Sequence, residues 1–301
     1  MRPKLFKNKL RIVKKELPEN MDILFISAFG SWNYGLQTET SDIDFKVVYI
    51  PSLDELIRPK DFSFAGSTIN ISYIGQCEII SIQSFIDKIK VFDISKIEIL
   101  FAPNIWVNDV HKPLFETIKS HTLDYIIGNK VRYIDSVITV CTSIYKTFIN
   151  SDMFKYNGKK AYNIPRLKYL LNGVLYSNEY ELMIDDQEVR NDIMQYKLGN
   201  VDRDDARSEC SVIINRMTAM KDEFNNENEN SFNDKITKFD EIVKNGIYTE
   251  IIREKEEKRI KQKVNKLATR CRSSLNNYDK LNFIIMWVSF MFIICMAATV
   301  R

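Results

Sequence analysis

A chain of 301 residues, 45% hydrophobic, 12% aromatic and 28% charged, can bury one large core or two modest ones, and its composition excludes a disordered, collagen-like or polytopic membrane protein. The net charge is only +3, yet residues 1–15 carry seven Lys/Arg and no acid, and residues 253–280 carry ten against four acids. The body between them is therefore acidic, which argues against an extended nucleic-acid groove across it.

Residues 1–20 lack the apolar centre of an export signal and read as a basic arm or amphipathic helix ending before Pro18. Ile23–Phe29 is a short apolar run closed by Gly30, the pattern of a buried strand entering a turn. Ile43–Ile50 reads as a second strand, and Thr68–Ile74 and Glu78–Ile82 as two more around Gly75. Helices are predicted over Ser84–Phe92 and Ser95–Phe101, with Pro103 as the stop, so residues 21–105 form a sheet-bearing domain. All seven prolines lie at or before Pro165, and apolar residues beyond it recur at helical spacing, predicting a helical domain over 106–220.

The acidic, Asn-rich stretch 221–234 buries too little apolar surface to order itself and is expected to be a linker. A basic helical segment, 235–280, follows, with a short heptad through Ile260, Val264, Leu267, Cys271 and Tyr278. Phe283–Val300 carries no charge and is close to the length that crosses a bilayer, predicting a tail anchor over 281–300. The basic residues before it place 1–280 on the cytoplasmic face of a single-pass membrane protein.

The chemistry is concentrated in Phe29-Gly30-Ser31 and Asp42-Ile43-Asp44-Phe45. Side chains two apart on a strand share a face, so Asp42 and Asp44 converge. Two adjacent carboxylates call for a cation, and oxygen ligands suit Mg²⁺ or Mn²⁺. His111 and His121, the only histidines, are too few for a histidine-built site, and five scattered cysteines without a CxxC pair offer neither a zinc ribbon nor a disulfide framework. Gly30 permits a tight turn, and Ser31 with neighbouring N–H groups can hold phosphate oxygens. The combination predicts metal-assisted phosphoryl or nucleotidyl transfer.

This pattern resembles the polymerase-beta-like nucleotidyltransferase superfamily, with its hydrophobic-Gly-Gly/Ser and Asp-hydrophobic-Asp/Glu signature. More narrowly, Tyr34-Gly35-Leu36-Gln37-Thr38 and Ser41 look like a branch of RNA-repair, RNA-ligase-associated and viral or phage enzymes. The likeness continues through Glu78-Ile79, Ile97–Phe101 and Lys159–Arg166, where Asn163 replaces the branch's histidine. The resemblance implies an α+β fold: a minimal nucleotidyltransferase mixed sheet with flanking helices, then the helical domain. It implies a third metal carboxylate, for which Glu78 is preferred over the helical Glu98. It also implies triphosphate or acceptor contacts by Ser41, Lys159 and Arg166. The expected activity is transfer of a nucleoside monophosphate from an NTP to an acceptor hydroxyl, with an RNA 3′ end favoured. A degenerate, membrane-tethered nucleotide-binding scaffold and a toxin or second-messenger synthase are the alternatives.

Overall fold

The basic N-terminal segment folds because its apolar residues recur along one helical stripe. In the computed structural model, which describes residues 3–52, 55, 66–71, 74–151, 153, 155–224 and 229–274, helix α1 spans Pro3–Glu16. Leu10, Val13 and Leu17 are buried, with Leu5 and Phe6 packed against the same core. Lys14 and Lys15 in its last turn suit the negative end of the helix dipole.

Five strands form one mixed sheet in the order β3-β4-β2-β1-β5. They are β1 Asp22–Phe29, β2 Asp44–Ile50, β3 Thr68–Ile71, β4 Gly75–Ser81 and β5 Ile105–Val107. β1 and β2 are antiparallel, with Phe29 opposite Asp44, and β2 and β4 are parallel, with Lys46 opposite Glu78. The central strands read as almost unbroken apolar runs because both faces are covered. α1 covers Ile26, Phe45, Val47 and Ile79. On the other face Phe25 meets Phe85 and Phe115 edge-on at 5.5 and 5.3 Å, residues of helices α2 (Ile82–Lys90) and α4 (Lys112–Ile127). Helix α3, Ile94–Leu100, lies between these two in the chain.

Helix α2 begins two residues before the expected Ser84 because the Ser81 hydroxyl caps it, accepting from the Ser84 N–H. It stops at Lys90, and Phe92, at φ 55°, stacks on Tyr125 at 4.9 Å. β5 carries no periodicity strong enough to predict; its three residues extend the sheet by pairing with β1.

The helical half comprises α5 (Lys130–Ile144), α6 (Gly158–Ala161), α7 (Asn163–Asn172), α8 (Gln187–Leu198), α9 (Arg203–Phe224) and α10 (Glu229–Ser274). The expected linker 221–234 differs: α9 runs to Phe224 and α10 begins at Glu229. The chain divides into compact units Met1–Ile247 and Tyr248–Arg301, so the division lies beyond the acidic stretch. The reason is tertiary. Phe239 and Val243 are buried, Phe239 stacks on Tyr125 at 5.3 Å, and Asp240 pairs with Lys90 at 2.8 Å.

In the second unit, residues 248–274 are helical, and Ile260 and Leu267 of the short heptad are exposed. No helix among the described residues is long and apolar enough to cross a membrane. The expected tail anchor, 281–300, lies outside the described residues, as does Tyr278.

Candidate active site

Strand β1 ends by delivering a turn. Gly30 has φ +90°, a region that favours glycine, and Ser31–Asn33 form one turn of 3-10 helix behind it. The buried Asn33 side chain donates to the Ala28 carbonyl at 2.6 Å and accepts from Asn104 at 3.3 Å, which pins the turn to the sheet. The Ser31 hydroxyl has no hydrogen bond to protein among the described residues. Ser41 is spent differently: its Oγ accepts from the Thr38 N–H at 2.8 Å and braces the loop.

Sequence periodicity placed both aspartates on a strand, but β2 starts only at Asp44, and Asp42 stands exposed in the preceding loop. Their shared direction survives. Ile43 between them is buried in the core under α1, and its N–H donates to the Ile74 carbonyl at 3.3 Å. Alternation then turns Asp42 and Asp44 away from α1. Asp44 Oδ1 accepts from the Gln76 N–H at 3.0 Å. Gly75, at φ +147°, makes that approach feasible, since a Cβ there would stand 2.8 Å from the same oxygen.

Glu78 does not join the pair. Register sets it beside Lys46, not beside Asp44, whose neighbour on β4 is Gln76. Its Oε2 lies 3.2 Å from Lys46 Nζ, and its Oε1 is hydrogen-bonded by Lys96. Burial alone would raise the Glu78 carboxyl; the Lys96 hydrogen bond and the Lys46 charge outweigh it and hold the group below its usual range. Burial, then the nearby Lys96, lowers Lys46, whose Nζ also sits 4.0 Å from the centre of the Phe29 ring. The opposite signs fit one carboxylate shared by two ammonium groups. Among the described residues no three Asp, Glu, His or Cys form a metal-holding group. Asp42 and Asp44 supply hard oxygens that fit Mg²⁺ or Mn²⁺ together with water ligands; the expected third ligand, Glu78, is paired with Lys46 and Lys96.

From the helical half, the expected triphosphate contact Arg166 is instead buried. It bonds Glu98 Oε1 at 2.5 Å, donates through Nε to Asn163 Oδ1 at 3.1 Å, and stacks 4.0 Å from the centre of the Tyr34 ring. Tyr34 in turn donates to Glu98 Oε2 at 2.6 Å. Its Nε and Nη1 are thus both engaged within the protein. Lys159 is exposed and close enough for its charge to act on Lys197. Lys197 was invisible to sequence reasoning. Its Nζ donates to the Leu36 carbonyl at 2.5 Å and reaches Ser41 Oγ at 3.4 Å, 156 positions away in the chain. Burial, then the Lys159 charge, lowers its pKa. Two cavities, of about 240 and 540 Å³, lie by Phe239 and by Ser136 and touch none of these residues.

Residues 10–121 match the nucleotidyltransferase domain family. The matched stretch runs from within α1 through the whole sheet to α4, so it contains Gly30, Ser31, Asp42, Asp44 and Glu78. It supports the polymerase-beta-like superfamily. No curated protein matches the chain. Within the matched stretch, the turn after β1 and the acidic start of β2 stand side by side, because Phe29 and Asp44 are register partners. The N–H groups of the turn and the two carboxylates therefore stand together at one end of the sheet. Arg166, Lys159 and Lys197 lie beyond the matched stretch.

Proposed function

We propose that the chain is a metal-dependent nucleotidyltransferase that moves a nucleoside monophosphate from an NTP to an acceptor hydroxyl, with an RNA 3′ end as acceptor. The observation that carries this reading is the adjacency of the Gly30–Ser31 turn and the Asp42/Asp44 pair at one end of the sheet. Asp42 and Asp44 would hold Mg²⁺ or Mn²⁺, which when bound supplies charge neutralisation at the attacked phosphorus and at the attacking oxygen. Ser31 and the N–H groups of its turn orient the triphosphate. Lys159 and Lys197 place positive charge beside the loop that ends at Asp42. Glu78 ties β2 to α3 through Lys46 and Lys96.

The test is magnesium-dependent incorporation of labelled nucleotide, with each of the four NTPs offered RNA, tRNA, protein or no acceptor. Extension of an RNA 3′ end supports the reading. Labelled protein or a small nucleotide product supports the toxin or second-messenger alternative, and binding without turnover supports a scaffold. Attachment through 281–300 belongs to the same proposal, resting on the uncharged run in the sequence. Full-length protein that alkaline carbonate releases from membranes would remove that part alone.

A further inference from the structure

Helix α1 has committed its apolar side. Leu10, Val13 and Leu17 are buried against the sheet, and Leu5 and Phe6 pack on the same core. The rest of its surface exposes Lys4, Lys7, Arg11, Lys14 and Lys15, and Glu16 is the helix's only acid. Positions 4, 7, 11, 14 and 15 follow three- and four-residue steps, so they line one ridge. At 1.5 Å per residue that ridge is about 16 Å long. Lys4, Lys7, Arg11 and Lys15 have no carboxylate partner among the described residues. Unneutralised cations at this spacing, on a protein whose body is acidic, form a localised anion-binding surface.

The direction of the ridge is set by two ring contacts. Phe6 stacks on Phe45 at 6.2 Å, one residue from Asp44, so the first turns of α1 lie at the reactive end of the sheet. Lys14 Nζ lies 3.1 Å from the centre of the Trp106 ring, and Trp106 pairs with Ile26, farther back along β1. α1 therefore starts near the Asp42/Asp44 end over β2 and crosses the sheet obliquely to the edge strand β5, on the face opposite the two carboxylates.

We infer that this ridge is the track for the sugar-phosphate backbone of a single-stranded RNA acceptor, whose 3′ end passes round the end of the sheet to reach Asp42 and Asp44 on the opposite face. The acceptor role rests on the nucleotidyltransferase reading; the RNA contact itself does not. Evenly spaced Lys and Arg side chains neutralise successive phosphates without reading sequence, which suits an enzyme acting on a terminus. A membrane surface is the competing polyanion, and the packing argues against it. An interfacial helix holds to lipid by inserting an apolar face, and α1 has already buried that face on the sheet.

The test uses full-length protein carrying Lys7→Gln, Arg11→Gln and Lys15→Gln together, changes confined to exposed side chains. Fluorescence anisotropy with a labelled 20-nucleotide RNA, titrated across salt, should show affinity falling by at least about tenfold at low salt, and the slope of log K against log salt dropping by about two. A second protein with Lys7→Glu and Arg11→Glu should weaken binding further while melting as wild type does. Unchanged affinity and slope in both proteins would overturn the track. So would loss of binding to phosphatidylserine vesicles with RNA binding intact. Wild-type protein that binds RNA through the ridge yet transfers no nucleotide would overturn the proposed activity and leave the track standing.

Discussion

Arg166 and Glu98 form a buried ion pair across 68 positions of sequence, and Tyr34 touches both, its ring against the guanidinium and its hydroxyl donating to the carboxylate. The pair joins α7 of the helical half to α3 beneath the sheet, and Tyr34 lies in the loop that leads from the phosphate turn to Asp42. A catalytic loop is thus locked by residues from both halves.

Removing one partner strands the other charge in the interior. Arg166→Ala should lower stability by about 3–5 kcal/mol in denaturant unfolding. Arg166→Lys should recover only part, because an ammonium cannot keep the Glu98, Asn163 and Tyr34 contacts together. If Arg166→Ala unfolds like wild type and loses only NTP affinity, Arg166 is a ligand contact and not a brace.

Asp42→Ala should abolish transfer with no measurable loss of stability, because the side chain is exposed. Asp44→Ala should abolish transfer and also cost about 1 kcal/mol, since the Gln76 N–H loses its acceptor. Mn²⁺ binding followed by electron paramagnetic resonance should weaken in both. Transfer by a protein lacking both carboxylates would remove the active-site assignment.

Glu78→Gln separates a structural carboxylate from a catalytic one. The Glu78 pKa in the folded protein is depressed below 4.5, so its stabilising contribution is complete above that value and is lost as pH falls through the lower folded value. The stability gap between wild type and Glu78→Gln should be constant near neutrality and close on acidification. Turnover should stay within about an order of magnitude of wild type. A far larger fall in turnover with unchanged stability would restore Glu78 as the third ligand.

Gly75→Ala should damage the site without touching a charged group. The added Cβ would meet Asp44 Oδ1 at 2.8 Å and the Ile43 carbonyl at 3.2 Å, at a φ of +147° that other residues rarely adopt. A loss of about 1–3 kcal/mol in stability, together with weakened Mn²⁺ binding, is expected. Normal Mn²⁺ affinity would show that Asp44 does not depend on this approach.

Lys197→Met should release the loop it holds. Hydrogen exchange over residues 36–41 should accelerate while that in the β1 and β2 amides is unchanged, and Lys197→Arg should restore protection. Burial and the Lys159 charge make Lys197 give up its proton at lower pH than an ordinary lysine, so the contact weakens as pH rises through that lowered value. Wild-type activity should fall on the alkaline side, and Lys197→Arg, which keeps its charge, should not show this fall. Identical exchange in wild type and Lys197→Met would dismiss the grip.

Local pattern alone determined the existence of strands near Ile23 and Ile43, the turn at Gly30, the helices beginning near Ser84 and Ser95, and the spacing of Asp42 and Asp44. Each depends on neighbours a few positions apart, through strand alternation, glycine's freedom at positive φ, or a serine cap. Tertiary structure decided the rest. The start of β2 at Asp44 depends on pairing with Phe29, and the isolation of Glu78 depends on a parallel register that sets it beside Lys46. The burial of Arg166 and the reach of Lys197 to Ser41 span 68 and 156 positions. No periodicity encodes such contacts, because which charges meet is settled only when the helical half closes on the sheet and low-dielectric packing penalises every charge left unpaired.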